Sequence, residues 1–131
     1  MEIIKIRPAF IDERGSIWDL LPVQDMKHVG LLISKKGSIR AQHYHKNQTQ
    51  FTLVLEGKMK ATTKDVKHDS KIEIREISEM EMLVSPPYQY HSFEFLEDSK
   101  CITFSTGEHS GEAYEKDTFR IKDITQFHEP M

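Results

Sequence analysis

The sequence predicts an all-β protein, a sandwich or small barrel, on three observations. Apolar residues recur in short runs with period-two alternation, most clearly over 50–56 (QFTLVLE) and 89–95 (QYHSFEF). Clusters of Gly, Pro, Asp, Asn and Ser separate these runs at short intervals. The 3.6-residue period of an amphipathic helix is nearly absent. Alternation places residues i and i+2 on one face of a strand, and about nine or ten such strands with close turn signals are the pattern of a sandwich or barrel.

Residues 2–7 (EIIKIR) are rich in β-branched side chains and stop at Pro8, so they read as a first strand free to pair with a sheet edge or a second subunit. Asp12, Glu13, Arg14 and Gly15 form a turn. Residues 16–21 (SIWDLL) give a second strand, ended by Pro22, with Trp18 expected in the core. Residues 27–34 give a third. After the turn at 35–38, residues 39–45 form the strand that carries His43 and His45, and 46–49 form a polar loop. In 50–56, Phe51, Leu53 and Leu55 share one face and Gln50, Thr52, Val54 and Glu56 the other. Residues 58–66 answer this strand across Gly57. Residues 71–77 alternate again, with Ile72 and Ile74 expected to face inward.

Pro86 and Pro87 stop the ladder after 82–85. In the next strand, 89–96, His91 shares a face with Phe93 and Phe95, which points it inward. Residues 101–106 return after the turn at 97–100. From Glu112 to Phe127 the pattern weakens to spaced anchors (Tyr114, Phe119, Ile121, Ile124 and Phe127), the mark of a short helix or an irregular wrap over a barrel.

Residues 1–131 are expected to form a single domain, with no linker, repeat or low-complexity run. The chain is 37% hydrophobic and 30% charged, a globular balance. A net charge of -3 offers no basic excess to neutralise phosphates, which argues against nucleic acid as a partner. No run is long enough to span a membrane, and the N-terminus lacks a signal-peptide pattern. The one cysteine, Cys101, reads as a small buried strand residue. Together these features point to a cytoplasmic setting.

The chemistry concentrates in 37–57, GSIRAQHYHKNQTQFTLVLEG. His43 and His45 project side by side from one strand face, with Ala41 next to them. Such a pair serves as two metal ligands, as a base with its helper, or as part of a hydrogen-bonded core. His28, His68, His109 and His128 sit in polar surroundings or near the ends and read as surface residues. Glu73, Glu76, Glu79 and Glu81 read as a solvated face.

The spacing Gly37-x5-His43-x-His45-x4-Gln50-x6-Gly57, followed by Pro86-x-Tyr88-x2-His91, resembles the two motifs of the cupin family. Gln50 stands where many cupins have glutamate, and Tyr88 and Phe95 where they have glycine and asparagine. The resemblance implies a double-stranded β-helix, or jelly-roll, barrel with a short, mostly irregular or helical C-terminal tail. It also implies one divalent transition metal (Zn, Fe, Ni, Mn or Cu) on His43, His45, Gln50 and His91, and no organic cofactor.

A longer resemblance covers FIDERGSIWDLLPV, IRAQHYHKNQTQ and AYEKDTFRIKDITQF. These segments are similar to the sugar 3,4-ketoisomerase and WxcM-like branch of cupins, relatives of dTDP-4-dehydrorhamnose 3,5-epimerase. The branch motif Arg-x2-His-Ala-His-Lys-x3-Gln is matched by Arg40, His43, His45, Lys46 and Gln50, and in that branch glutamine is the normal residue at the position of Gln50. Tyr114, Asp117, Phe119 and Arg120 fit its tail pattern. Gln42 and Tyr44 replace the branch's glycine and alanine. The implied activity is an isomerase acting on a nucleotide-linked keto-deoxy sugar, in a homodimer joined at the N-terminal strand.

Moving a keto group to the neighbouring carbon needs a base that removes a proton α to a carbonyl, and imidazole suits that task at neutral pH. The catalytic candidates are thus His43 and His45, with Arg40 and Tyr44. The enolate needs a donor, for which Arg40, Gln50, Tyr44, Tyr88 and Tyr90 are candidates. Arg40 also suits a pyrophosphate, through its planar fork, and a tyrosine suits a nucleobase, through stacking. The alternative reading is a metal-binding cupin, dioxygenase-like or ligand-sensing, without sugar chemistry. The two differ over His91, which the metal reading requires.

Overall fold

The computed structural model describes residues 1–20, 24–107 and 111–127. Two five-stranded antiparallel sheets face each other, as expected for the jelly roll. One runs β1 (Glu2–Lys5), β9 (Glu81–Ser85), β6 (Gln50–Glu56), β11 (Ser99–Ser105), β4 (His28–Ser34). The other runs β12 (Phe119–Arg120), β5 (Ile39–Tyr44), β10 (Gln89–Phe95), β7 (Lys58–Asp65), β8 (Glu73–Ser78). The tail begins as a short helix α1 (Gly111–Lys116), pairs through β12, and ends in a 3-10 turn at Ile124–Gln126.

Alternation along β6 decides what lies on either side of its sheet. Val54 joins Met59, Ala61, Ile77, Leu83, Phe93, Phe95 and Cys101 in the barrel interior. Phe51 and Leu53 point the other way and meet Ile6, Met82, Val84 and Phe104, with Ile4, Leu20 and Met26 packed on them. The N-terminal segment therefore covers that outer face. On the second sheet the tail plays the same part: Ile124 is buried with Val66 and Tyr90, and Ile121 and Phe127 pack alongside. The spaced anchors of 112–127 are thus a wrap. Cys101 is fully buried and its thiol is pushed up to about 11 by burial, as expected of an inert core residue.

Three expectations fail for identifiable reasons. Pro8 begins a strand instead of ending one: β2 (Pro8–Asp12) and β3 (Gly15–Trp18) form a separate hairpin. A first strand position tolerates proline because no ladder donor is needed there. Trp18 lies on that hairpin, 37% exposed, with Nε1–H donating to Ser16 Oγ at 2.8 Å, and is not core. Ile74 is 59% exposed, and the inward residue of β8 is Ile77, opposite Met59. The isoleucines at 74 and 77 have opposite parity, so the run 71–77 never had one apolar face. The first strand, β1, pairs with β9 of its own chain, Glu2 opposite Val84.

Candidate functional site

A β-bulge aims the first histidine. In the β5–β10 ladder Ala41 lies opposite Ser92 and His43 opposite His91, which leaves Gln42 as the extra residue. Ala41 and Gln42 take left-handed φ values of 70° and 57°. Neither is glycine, and such backbone is held in place by its surroundings. The simple period-two reading from Ala41 to His43 therefore does not apply, yet both residues face one cavity. His45 sits just past the end of β5.

His43, His45 and His91 converge. Their ring centroids are 4.7 Å (His43–His45), 4.8 Å (His43–His91) and 5.7 Å (His45–His91) apart. One nitrogen from each lies within 4.8 Å of the others, and all three side chains are buried. His91 Nδ1–H donates to the Gln89 carbonyl at 3.2 Å. Its Nε2 is buried with no hydrogen-bond partner among the described residues. Burial, reinforced by His45, lowers its pKa to about 3, so the ring is neutral at physiological pH and offers a bare lone pair.

His45 is held from the tail. Its Nδ1–H donates to the Asp117 backbone carbonyl at 2.7 Å. In the neutral ring Nε2 is then an acceptor, and it faces Gln50 Oε1, another acceptor, at 3.3 Å. A turned amide, a protonated ring or a shared cation each resolves that pair. The Asp117 carboxylate accepts from the backbone N–H groups of Lys46 (2.7 Å) and Asn47 (3.2 Å) and from Gln48 Nε2 (3.4 Å). Gln48 in turn accepts from Ser105 Oγ. One aspartate thus ties the loop behind His45 to the tail. The His45–Asp117 contact spans a sequence separation of 72 residues, and only the family tail pattern points to it.

A cavity of about 410 Å³ opens between the sheets. His28, Gly30, Gln50 and Thr103 line it from one sheet, and Arg40, His43 and Phe93 from the other. Of the three clustered imidazoles, only His43 lines it. His45 and His91, each 1% exposed, stand behind. Arg40 is tethered there, with Nε–H donating to Ser34 Oγ at 2.8 Å and Nη2–H to the Ile33 carbonyl at 3.0 Å.

The three candidate tyrosines are elsewhere. Tyr44 stacks between Phe119 (5.2 Å) and Tyr88 (6.3 Å), with Lys46 Nζ 4.2 Å above Phe119 and Lys67 Nζ 4.1 Å above Tyr88. Tyr90 is 2% exposed under the tail, its hydroxyl pKa raised by burial. The tyrosine that does line the cavity is Tyr114, from α1, its ring 5.7 Å from that of His45. His28, expected at the surface, is half-buried and lines the cavity. His68 is exposed and paired with Asp65, as expected, and His109 and His128 lie outside the described residues.

The family model described as polysaccharide biosynthesis C-terminal domain matches residues 10–119. No curated protein sequence matches the chain. Among solved structures, it is similar to a dTDP-4-dehydrorhamnose 3,5-epimerase from Sulfolobus tokodaii, at 25% identity and a TM-score of 0.75, over 98% of this chain and 80% of that one. It is also similar to the WlaRB TDP-quinovose 3,4-ketoisomerase from Campylobacter jejuni (19%, TM-score 0.75, 92% of each chain). A third likeness is to the QdtA sugar 3,4-ketoisomerase from Thermoanaerobacterium thermosaccharolyticum, solved with TDP (20%, TM-score 0.72, 94% and 89%). These likenesses carry the cupin fold. No helix among the described residues is long and apolar enough to cross a membrane.

The neutral burial of His91 has a consequence for stability. Above pH 6.5 neither the folded nor the unfolded chain protonates it; between 6.5 and about 3 only the unfolded chain does. Acid therefore favours unfolding across that window, by up to about 1.4 kcal/mol per pH unit. Denaturant unfolding of EDTA-treated protein, at neutral pH and at about pH 5, is expected to show this loss, and His91→Asn to lessen it by as much as one proton's share.

Proposed function

The chain belongs to the polysaccharide biosynthesis C-terminal domain family, and on that premise we propose that residues 1–131 act as a single-domain isomerase on a nucleotide-linked keto-deoxy sugar, with proton transfer at His43 backed by His45. The observation that carries this is a buried histidine cluster presenting one imidazole to a cavity of about 410 Å³.

Similar structures support the substrate class: one is a dTDP-4-dehydrorhamnose 3,5-epimerase, one a TDP-quinovose 3,4-ketoisomerase, and one a sugar 3,4-ketoisomerase in complex with TDP. In the reaction a base takes the proton from the hydroxyl-bearing carbon beside the ketone, and the keto oxygen is protonated. The enediol then loses a hydroxyl proton and gains one at the former carbonyl carbon. Two protons leave and two return, so no oxidant or reductant is needed. His43 removes the carbon-bound proton. His45 stabilises the charge that His43 acquires, its own orientation held by Asp117. Arg40, tethered at the cavity, suits an enolate oxygen or the pyrophosphate. Exchanging both histidines for asparagine (His43→Asn, His45→Asn) is expected to lower turnover of dTDP-4-keto-6-deoxyglucose by about 10²–10⁴-fold. Unchanged turnover removes them from the mechanism, and an inert wild type excludes that sugar.

The donor set also fits a divalent transition metal. His91 Nε2 is buried without a hydrogen-bond partner among the described residues, and His45 Nε2 faces Gln50 Oε1 as one acceptor to another. His43, His45, His91 and Gln50 would hold the ion, which when bound polarises a keto oxygen as a Lewis acid. These same atoms favour the second reading, a metal-binding cupin with dioxygenase-like or sensing function. Elemental analysis of protein purified without chelator decides between a filled site and a metal-free one. Occupancy below about a tenth of an ion per chain rejects the metal.

We further propose a homodimer. The β2–β3 hairpin pairs with neither barrel sheet, and it exposes Phe10, Ile11, Ile17 and Trp18. An isolated two-stranded ribbon is barely stable in water. Edge strand β4 exposes Val29, Leu31 and Ile33 on one face. A two-fold axis lets each copy's hairpin cover the other's apolar strand. Light scattering is expected to give twice the chain mass, and Ile17→Lys with Leu31→Glu to give the monomer; a monomeric wild type rejects the dimer.

A further inference from the structure

His28 stands in the same cavity as His43 but on the other sheet, in β4. The reason it reaches inward is Gly30, two residues along on the same strand face. A Cβ at Gly30 would lie 2.9 Å from His28 Cε1, 3.7 Å from its Nε2 and 3.0 Å from Thr103 Oγ1. The imidazole therefore occupies the space of the missing side chain and lies along the wall instead of standing at the rim. Gly30 has no left-handed φ to account for it, so its role is room.

His28 is also outside the metal-capable cluster of His43, His45 and His91. An ion held there does not take the His28 imidazole as a ligand. A ligand between the sheets thus meets His43 from β5 and His28 from β4. A keto shift needs two proton transfers at carbon, one off and one on, at adjacent atoms.

We propose that His28 is a second acid–base residue, which delivers the proton to the former carbonyl carbon from the sheet opposite His43, and that Gly30 is the residue that admits it. This rests on the proton-transfer reading of the cavity. The step breaks the N–H bond of the His28 imidazolium and forms the new C–H bond. The hydroxyl proton released as the enediol becomes a ketone restores the balance.

The test separates the two half-reactions in deuterated water, using dTDP-4-keto-6-deoxyglucose and the full chain. Deuterium uptake beside the keto group reports removal of the first proton; product formation reports completion. His28→Gln is expected to keep uptake within about threefold of wild type while product formation falls by about 10²–10³-fold. Gly30→Ala keeps the imidazole but displaces its ring, and is expected to give the same split more weakly. His43→Asn is expected to abolish both signals. Product formation by His28→Gln at the wild-type rate overturns the role of His28 and leaves the isomerase standing, as does joint loss of uptake and product in that variant. A wild type that neither takes up deuterium nor forms product excludes this sugar as the substrate and overturns the role of His28 proposed on it.

Discussion

The donation from His45 Nδ1–H to the Asp117 carbonyl is the interaction on which the site depends. It does three things at once. It makes Nδ1 the donor, so that in the neutral ring the Nε2 lone pair is the one that faces Gln50 Oε1. It fixes the tail against the barrel at the point where α1 brings Tyr114 over the cavity. Through the carboxylate of the same residue it also holds the backbone of the 46–48 loop. The aromatic stack of Phe119, Tyr44 and Tyr88 lies on the outside of the same sheet and reinforces this closure by packing. Its tyrosines serve to seat the tail, which explains why they are absent from the cavity.

The barrel interior is divided along the strands. On β6, Val54 sits among Leu83, Phe95 and Cys101, while Gln50 and Thr52 lie toward the histidines. Ser85 lies opposite Gln50 on β9, and Ser105 opposite it on β11. One end is a dry core and the other a polar lining. Burying polar side chains without bonded partners costs free energy, and Ser85 Oγ, Thr52 Oγ1 and His91 Nε2 are buried with no hydrogen-bond partner among the described residues. The apolar end and the two outer clusters offset that cost. This is the arrangement expected where a protein keeps unsatisfied groups for a ligand.

Much of this was legible in the sequence, and the failures share a cause. Strand alternation and the spacing of His43, His45, Gln50 and His91 are local signals, and the structure brings all four together. The tyrosines are candidates by residue type alone, which carries no information about which side of a strand they occupy; Tyr90, next to inward His91, faces outward. His28 reads as a surface histidine from its polar surroundings, and what turns it inward is the absent side chain of Gly30. Hydrophobicity alone points Trp18 and Ile74 inward, yet among the described residues the hairpin pairs with neither barrel sheet and Ile74 lies on the exposed face of edge strand β8. Asp117 acts across a separation that no local pattern encodes.

The cluster poses a question of chemical exclusivity. A lone pair donated to a metal is not available to take a proton, so one imidazole cannot be ligand and base together. The geometry distributes the two tasks. His45 and His91 are buried, each with Nδ1–H bonded to a carbonyl, and their Nε2 lone pairs are directed away from solvent. That is the disposition of a ligand, held rigid from behind. His43 alone of the three meets the cavity, and its duty depends on whether the pair behind it is filled. His28 lies across from it, on the other sheet and outside the ligand-capable group. The substitution of glutamine for a carboxylate at position 50 acts in the same direction. A neutral amide lowers the charge of the donor set, weakens its hold on a hard dication, and favours a site whose chemistry is carried by the imidazoles themselves.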